Sequence, residues 1–166
     1  MKKHIIGIAL LIILLGTCIL FGLAQKNNES SIPPLSDKDI KLIEEFIYEM
    51  NLLDGLKLAN NAEFNYQYAK FQAAYNNIVS LCSDSVSIFY LRAQAIAIEI
   101  NYLSSHRLWE YYDKDKDKEL DEALNRVSES RELFIKMYTF YKDGVTISES
   151  NKFLIDNGLV QKDIPK

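Results

Sequence analysis

Glycine and proline are scarce in this chain, which has six glycines and three prolines among 166 residues. An all-β domain of this length places a turn about every 8–12 residues, and such turns use these two residue types. The sequence therefore excludes a β-sandwich or β-barrel as the expected fold and favours long helices with few connections. Glycine-rich loops that bind a phosphate are excluded for the same reason.

Cysteine and histidine are rarer still, with two of each. Cys18 lies in an apolar run, so Cys82 is the only thiol in the polar part of the chain and an internal disulfide there is excluded. We interpret Cys82 as a small apolar residue near a helix end. His106 is the only histidine beyond His4, which leaves zinc and di-iron sites short of ligands and a Ser-His-Asp triad without support. We predict no catalytic residue, no metal, no cofactor and no enzymatic activity.

Basic residues are fewer than acidic residues in the part of the chain that follows Ala24. Lys2 and Lys3 precede the apolar run, whereas 17 basic and 23 acidic residues follow Ala24, which leaves that part with a net charge of −6. An acidic domain repels phosphate backbones, and no basic cluster interrupts the pattern. We therefore expect no nucleic-acid binding.

What the sequence does contain is one long apolar run. The twenty residues from Ile5 to Ala24 carry no charge. At ~1.5 Å per residue a helix of this length spans about 30 Å, the thickness of a hydrocarbon core. With Lys2 and Lys3 on one side, the positive-inside rule predicts a cytoplasmic N-terminus and a C-terminal domain outside a bacterial-type cell membrane. We favour a retained single-pass signal anchor. The alternatives are secretion after cleavage behind Ala24, and a lipid anchor on Cys18 within a partial lipobox.

A polar linker separates this run from the rest of the chain and ends in Pro33-Pro34. Ser36 is a suitable N-cap, and Asp39 lies at the third helical position of a capping box. The sequence thus divides into a signal anchor or signal peptide, a linker and an extracytoplasmic helical bundle: residues 1–24, 25–35 and 36–166.

The first helical segment has apolar residues at helical spacing from Ile40 to Leu53 and again from Phe64 to Cys82. Between these stretches lie Gly55 and Asn60-Asn61, where the pattern weakens. Two interpretations fit, namely one long helix or two helices joined near the asparagines. Because no proline intervenes and one glycine costs only ~1 kcal/mol relative to alanine, we predict one long helix.

The middle helix, capped by Ser83-Asp84-Ser85 and running to about Tyr112, carries two apolar seams. The first seam comprises Val86, Phe89, Ala93, Ile96, Ile100 and Leu103. The second comprises Ile88, Leu91, Ala95, Ile98, Tyr102, Trp109 and Tyr112. Because a helix that is apolar on two sides needs cover on both, we predict that it lies in the middle of the bundle. Its polar line, on which we expect His106 to be exposed, is Arg92, Glu99, His106 and Asp113.

A third helix is predicted from Glu119 to Lys142, with Gly144 behind it. Thr146 and Glu149 then form a capping box that opens a short last helix, which Asn157-Gly158 ends. Short links favour antiparallel neighbours. The predicted fold is therefore all-α: an N-terminal transmembrane or signal helix, then an up-down antiparallel bundle of three long helices plus a short C-terminal helix.

Alternating charges from Asp113 to Asp121 resemble the start of a calcium loop, but the rest of that motif is missing. Lys118 stands where the loop needs glycine, and Leu124 where it needs a bidentate glutamate. We interpret this run as a solvated connection between two helices.

Aromatic residues are the remaining feature that could carry a function. Tyrosines at helical spacing usually pack in a core, but they also line ligand pockets and partner surfaces. The candidate ligand or partner contacts are Tyr102, Trp109 and Tyr112.

Two functions from different classes fit these observations. The first is a membrane-tethered extracytoplasmic helical module that acts through protein–protein contacts, bound to the membrane by its N-terminal helix and to a protein partner. The alternative is an exported small-molecule-binding or sensory helical bundle with a tyrosine-lined cavity.

Overall fold

The computed structural model describes residues 31–81, 85–111 and 117–160. The predicted signal helix, both cysteines, Tyr112 and residues 113–116 of the alternating charge run lie outside the described residues. None of the described helices is long and apolar enough to cross a membrane. The chain divides into two compact units, whose described residues are 31–145 and 146–160.

The all-α prediction is confirmed for the described residues, whose only strands are two residues long. Four helices form the first unit, and each is antiparallel to the one before it. Phe46 and Glu49 of the first helix meet Phe71 and Gln67 of the second, so residue numbers run in opposite directions. The fourth helix returns to the first, where Phe134 packs on Phe46. The four helices are α1 (Asp37–Asp54), α2 (Asn61–Val79), α3 (Val86–Glu110) and α4 (Asp117–Tyr141).

The prediction of one long helix between residues 36 and 82 is wrong, because α1 ends at Asp54 and α2 begins at Asn61. The Asn60 side chain accepts hydrogen bonds from the backbone N–H groups of Ala62 and Glu63, both at 3.1 Å. This cap gives the backbone an alternative to a continuous helix. The reversal also lets the apolar faces of α1 and α2 bury each other, which a straight helix cannot do.

The bundle therefore contains four helices rather than three, and the predicted middle position of α3 is wrong. In such a bundle each helix has one inward and one outward face. The second apolar seam of α3 is inward, since Ile88, Leu91, Ala95, Ile98 and Tyr102 are all buried. The first seam is outward.

The centre of the bundle is an aromatic cluster with one member from each helix. Phe46 of α1 lies between Phe71 of α2 and Phe134 of α4, with ring centroids 5.3 and 4.9 Å away. Tyr102 of α3 packs edge-on against Phe71 at 5.6 Å. All four side chains are fully buried. The core interpretation of the aromatic residues is confirmed for Tyr102.

At one end of the bundle, the chain before α1 packs against the end of α4. Strands β1 (Ser31–Ile32) and β2 (Val145–Thr146) pair, and the Leu35 N–H donates to the Lys142 carbonyl at 3.2 Å. Gly144 has φ +80°, and a Cβ there would lie 2.9 Å from the Pro34 nitrogen. Both the backbone conformation and the close approach therefore require glycine at this position.

The second unit contains α5 (Ile147–Asp156). Its predicted start is confirmed, because Thr146 and Glu149 form a reciprocal capping box. Its predicted end is confirmed as well. The N–H groups of Gly158 and Leu159 donate to the Ile155 and Leu154 carbonyls at 3.0 and 2.9 Å, which is a Schellman motif.

Candidate functional site

The three candidate contact residues have different positions. Tyr102 is fully buried, and its hydroxyl donates to the Met50 carbonyl at 3.1 Å. Burial raises the pKa of this hydroxyl well above its usual range. Trp109 is half-buried in the last turns of α3, and Tyr112 lies outside the described residues. The structure thus places Tyr102 in the core, away from any partner at the surface.

A charged cluster links α1 to α4 close to Tyr102. Arg131 Nη1 lies 2.7 Å from Asp54 Oδ2, and Arg131 Nη2 donates to Asn51 Oδ1 at 2.8 Å. Lys57 Nζ lies 2.9 Å from the other Asp54 oxygen. About a fifth of the Arg131 and Asp54 side chains is exposed, 19% and 22%. Because these groups are bonded to each other, the cluster acts as a cross-link between two helices.

The sequence pattern missed this cluster, although it held a signal. Val127 and Phe134 are both inward and fully buried. Arg131 lies four residues after one and three before the other, which is the spacing of an inward position. A charged residue at such a position needs a partner, and Asp54 at the end of α1 is that partner.

His106 is buried, so the prediction that it is exposed is wrong. Its ring stacks on Phe64 of α2 with centroids 3.5 Å apart. Nε2 lies 3.0 Å from Asn61 Oδ1, and the Asn61 amide nitrogen donates to Glu110 at 2.8 Å. Since that orientation leaves the Asn61 oxygen as acceptor, Nε2 is the donor. His106 therefore joins α2 to α3.

Arg92 and Glu99 of the same polar line also lie at the border with α2, whereas Asp113 lies outside the described residues. Glu99 accepts a hydrogen bond from the Tyr68 hydroxyl at 2.9 Å, and Arg92 donates to the Leu81 carbonyl at 3.3 Å. Burial, with the bond to Glu99 as the second cause, raises the pKa of Tyr68 well above its usual range. On the opposite border, Gln94 and Asn101 bond to Ser130 of α4.

Between these two polar borders runs an apolar surface that faces away from the bundle core. Its exposed members are Val86, Phe89 and Ile100, with exposed fractions of 44%, 39% and 51%. The half-buried members Ala93, Ile96 and Leu103 fill the positions between them. We call these six residues the outward stripe: Val86, Phe89, Ala93, Ile96, Ile100 and Leu103.

The outward face of α4 has a different composition. Apart from Ile135, its exposed side chains are charged or polar: Lys118, Glu119, Asp121, Glu122, Asn125, Arg126, Glu129, Glu132, Lys136 and Thr139. The exposed residues of α1 and α2 are also mostly polar. The large apolar or aromatic exceptions are Tyr48 and Leu52, one turn apart on α1, and Tyr66 on α2. Isolated apolar residues are normal on a protein surface, whereas a contiguous apolar patch bordered by polar residues is typical of an interaction site.

Among the residues that the structure describes, no three acidic, histidine or cysteine side chains lie close enough together to hold a metal ion. Comparisons of this chain with family models, curated proteins and solved structures each found no match. The outward stripe is the candidate functional site, because it is a contiguous apolar surface bordered by polar residues.

Proposed function

We propose that this chain is a membrane-tethered helical module that lies outside the cytoplasm and acts through protein contacts. The tether is the uncharged run from Ile5 to Ala24, with Lys2 and Lys3 on its cytoplasmic side. The observation that carries the proposal is the outward stripe of α3, because it exposes apolar side chains that the bundle core does not use.

The energetics support a contact surface. Burying apolar area stabilises a complex by roughly 25 cal/mol per Å², and each stripe residue loses that contribution while it faces water. The stripe is bordered by polar groups on both sides, which matches the apolar centre and polar rim of protein interfaces. The polar clusters around Arg131 and His106 are already engaged within the bundle.

A reporter fusion tests the location. Alkaline phosphatase is active only outside the cytoplasm, so its fusion to Lys166 of the full chain should be active. A fusion to a chain in which Lys2 and Lys3 are replaced by glutamate should lose most of that activity. An inactive fusion to the wild-type chain contradicts the extracytoplasmic placement.

Photo-crosslinking tests the contact. Benzoylphenylalanine at position 100, in the outward stripe, should form a protein adduct in intact membranes. The matched control is position 129 on the outward face of α4, which should form none. The Phe89→Ser substitution should weaken the adduct at position 100. Equal crosslinking at both positions, or none at either, contradicts the proposal.

The ligand-binding alternative has less support from the tyrosines. The hydroxyls of Tyr68, Tyr102 and Tyr138 each donate to an acceptor of this chain. A ligand that needed these hydroxyls as donors would have to replace the bonds that they already make. A thermal-shift screen with small metabolites separates the two functions, since only a ligand-binding bundle gains melting temperature.

A further inference from the structure

We infer that the partner at the outward stripe is a second copy of this chain, with its α3 helix docked antiparallel to the first. This inference rests on the proposed function and names the occupant of the same surface. Three observations carry it: the spacing of the stripe, the charges beside it and the positions of those charges along the helix.

The spacing is that of a helix that pairs with another helix. Successive stripe residues from Val86 to Leu103 are separated by three, four, three, four and three residues. Alternating steps of three and four residues are the heptad pattern, which keeps a narrow apolar seam facing a partner helix along its whole length.

The two charged residues at the edge of the stripe, Arg92 and Glu99, can pair with each other between two copies of the chain. Arg92 and Glu99 lie seven residues apart on the same edge, so they occupy equivalent heptad positions with opposite charges. An isologous pair brings the same surface of both copies together. When Phe89 of one copy faces Ile100 of the other, Arg92 faces Glu99 of the second copy, and the twofold axis repeats this ion pair.

The arrangement also selects the antiparallel direction. In a parallel pair these edge positions face the opposite edge of the partner helix. That edge carries Ala97 and Ser104, so Arg92 and Glu99 would find no charged partner. In the antiparallel pair the opposite edges meet each other, and the residues of that edge, Tyr90, Ala97 and Ser104, carry no charge, so no like charges oppose one another.

Both charged side chains have the capacity for this contact. Among the residues that the structure describes, Arg92 donates to the Leu81 carbonyl, and a guanidinium has five N–H donors. Glu99 accepts from Tyr68 through Oε1, and its other oxygen can accept from an arginine. Both residues are half-buried, which limits their freedom before docking.

A charge swap tests the inference. The full-length protein in detergent micelles, studied by sedimentation equilibrium, should dimerise. Arg92→Glu and Glu99→Arg each place like charges opposite one another twice, so each should weaken the dimer about tenfold or more. The double variant restores complementarity and should dimerise within about threefold of wild type. An equimolar mixture of the two single variants should form heterodimers.

The controls separate this inference from the proposed function. Circular dichroism melts establish that the variants fold, and Glu129→Arg on α4 should leave the dimer unchanged. Dimers that are insensitive to all charge changes overturn the docking, because they form elsewhere, for example through the apolar run. A monomeric protein whose position 100 crosslinks to a different protein overturns the second copy but keeps the contact function. A crosslink that joins position 100 to another residue of the same molecule overturns both the second copy and the contact function.

Discussion

Helices α3 and α4 both span 25 residues, lie side by side and pack on the same core, yet their outward faces differ. The outward face of α4 carries alternating charges, whereas that of α3 carries a regular apolar stripe. Because α4 is a stable member of the bundle with a charged surface, the fold does not require apolar residues there. This difference between the two surfaces is the basis for the contact surface proposed on α3.

Helix propensity strengthens this comparison. The outward stripe contains valine and two isoleucines, which are β-branched and lose rotamer freedom in a helix. The exposed positions of α4 are rich in glutamate, lysine and arginine, which favour a helix in water. Exposed β-branched residues thus lower the intrinsic stability of α3 without adding core contacts.

The largest expected effect tests whether the inward face, and not the outward one, stabilises α4. Phe134→Ala removes a fully buried ring from the central cluster and should lower the free energy of unfolding by about 3–5 kcal/mol. The neighbouring Ile135→Ala substitution, on the outward face, should change it by less than about 0.5 kcal/mol. Urea denaturation measures both, and similar losses would contradict the assigned faces.

The second effect concerns the end of α4. Gly144→Ala adds a Cβ at φ +80° that meets the backbone at Pro34, so we expect a loss of about 2–3 kcal/mol. Gly158→Ala is the matched control. It has a similar φ of +68° but nothing within 4 Å of the added Cβ, so its loss should be smaller. Equal decreases in melting temperature for the two variants would mean that the contact with Pro34 does not add to the loss of stability.

The third effect concerns the single charge that α4 directs inward. Arg131→Ala removes the bonds to Asp54 and Asn51 and should reduce stability by about 1–2 kcal/mol, since the pair is only partly buried. Arg126→Ala, at an exposed position of the same helix, should have almost no effect. Chemical denaturation of both variants checks this, and equal values would place Arg131 among ordinary surface charges.

The fourth effect tests whether the outward faces of α3 and α4 differ in their contribution to association. Ile100→Ser in the outward stripe should change the unfolding free energy of the dissociated chain by less than about 0.5 kcal/mol. The same substitution should nevertheless weaken association, whereas Ile135→Ser should leave association unchanged. Denaturation at high dilution and sedimentation measure the two quantities. A large loss of stability would show that the stripe is part of the core.

The smallest effect is a pH dependence between α1 and α4. Bonds from Tyr138 and then from Lys142 hold the pKa of Glu44 below its ordinary value of 4.5. Since the folded pKa is lower, this contribution is present above 4.5 and is lost as pH falls through the folded pKa. Tyr138→Phe removes the largest cause, so the Glu44 pKa should rise in an NMR titration. An unchanged pKa would exclude the Tyr138 bond as its cause.

Local signals in the sequence predicted several elements correctly. Ser36, the Thr146–Glu149 box and Asn157-Gly158 mark helix ends because their caps depend only on nearby residues. The turn between α1 and α2 was missed because tertiary packing decides between a continuous helix and a reversal. The expected burial of the second apolar seam of α3 is confirmed from Ile88 to Tyr102, but the expected cover of the first seam is wrong, because periodicity alone does not say how many helices surround a helix.

The candidate site was predictable to a similar extent. The heptad spacing of the outward stripe is visible in the sequence, whereas its exposure depends on the number of helices in the bundle. Tyr102 was expected at a ligand or partner surface because tyrosine suits both surface and core. Its position was settled by Phe71 and the Met50 carbonyl, which lie far away in sequence.

Hydroxyl-radical footprinting tests the central claim most directly, because it compares native side chains without substitution. Phe89 on α3 and Ile135 on α4 have nearly equal exposed fractions, 39% and 37%. In intact membranes, oxidation of Phe89 and Ile100 should fall several-fold relative to the protein diluted in detergent, while oxidation of Ile135 should stay the same. Unchanged oxidation of Phe89 and Ile100 between the two states would contradict the assignment of the outward stripe as a contact surface.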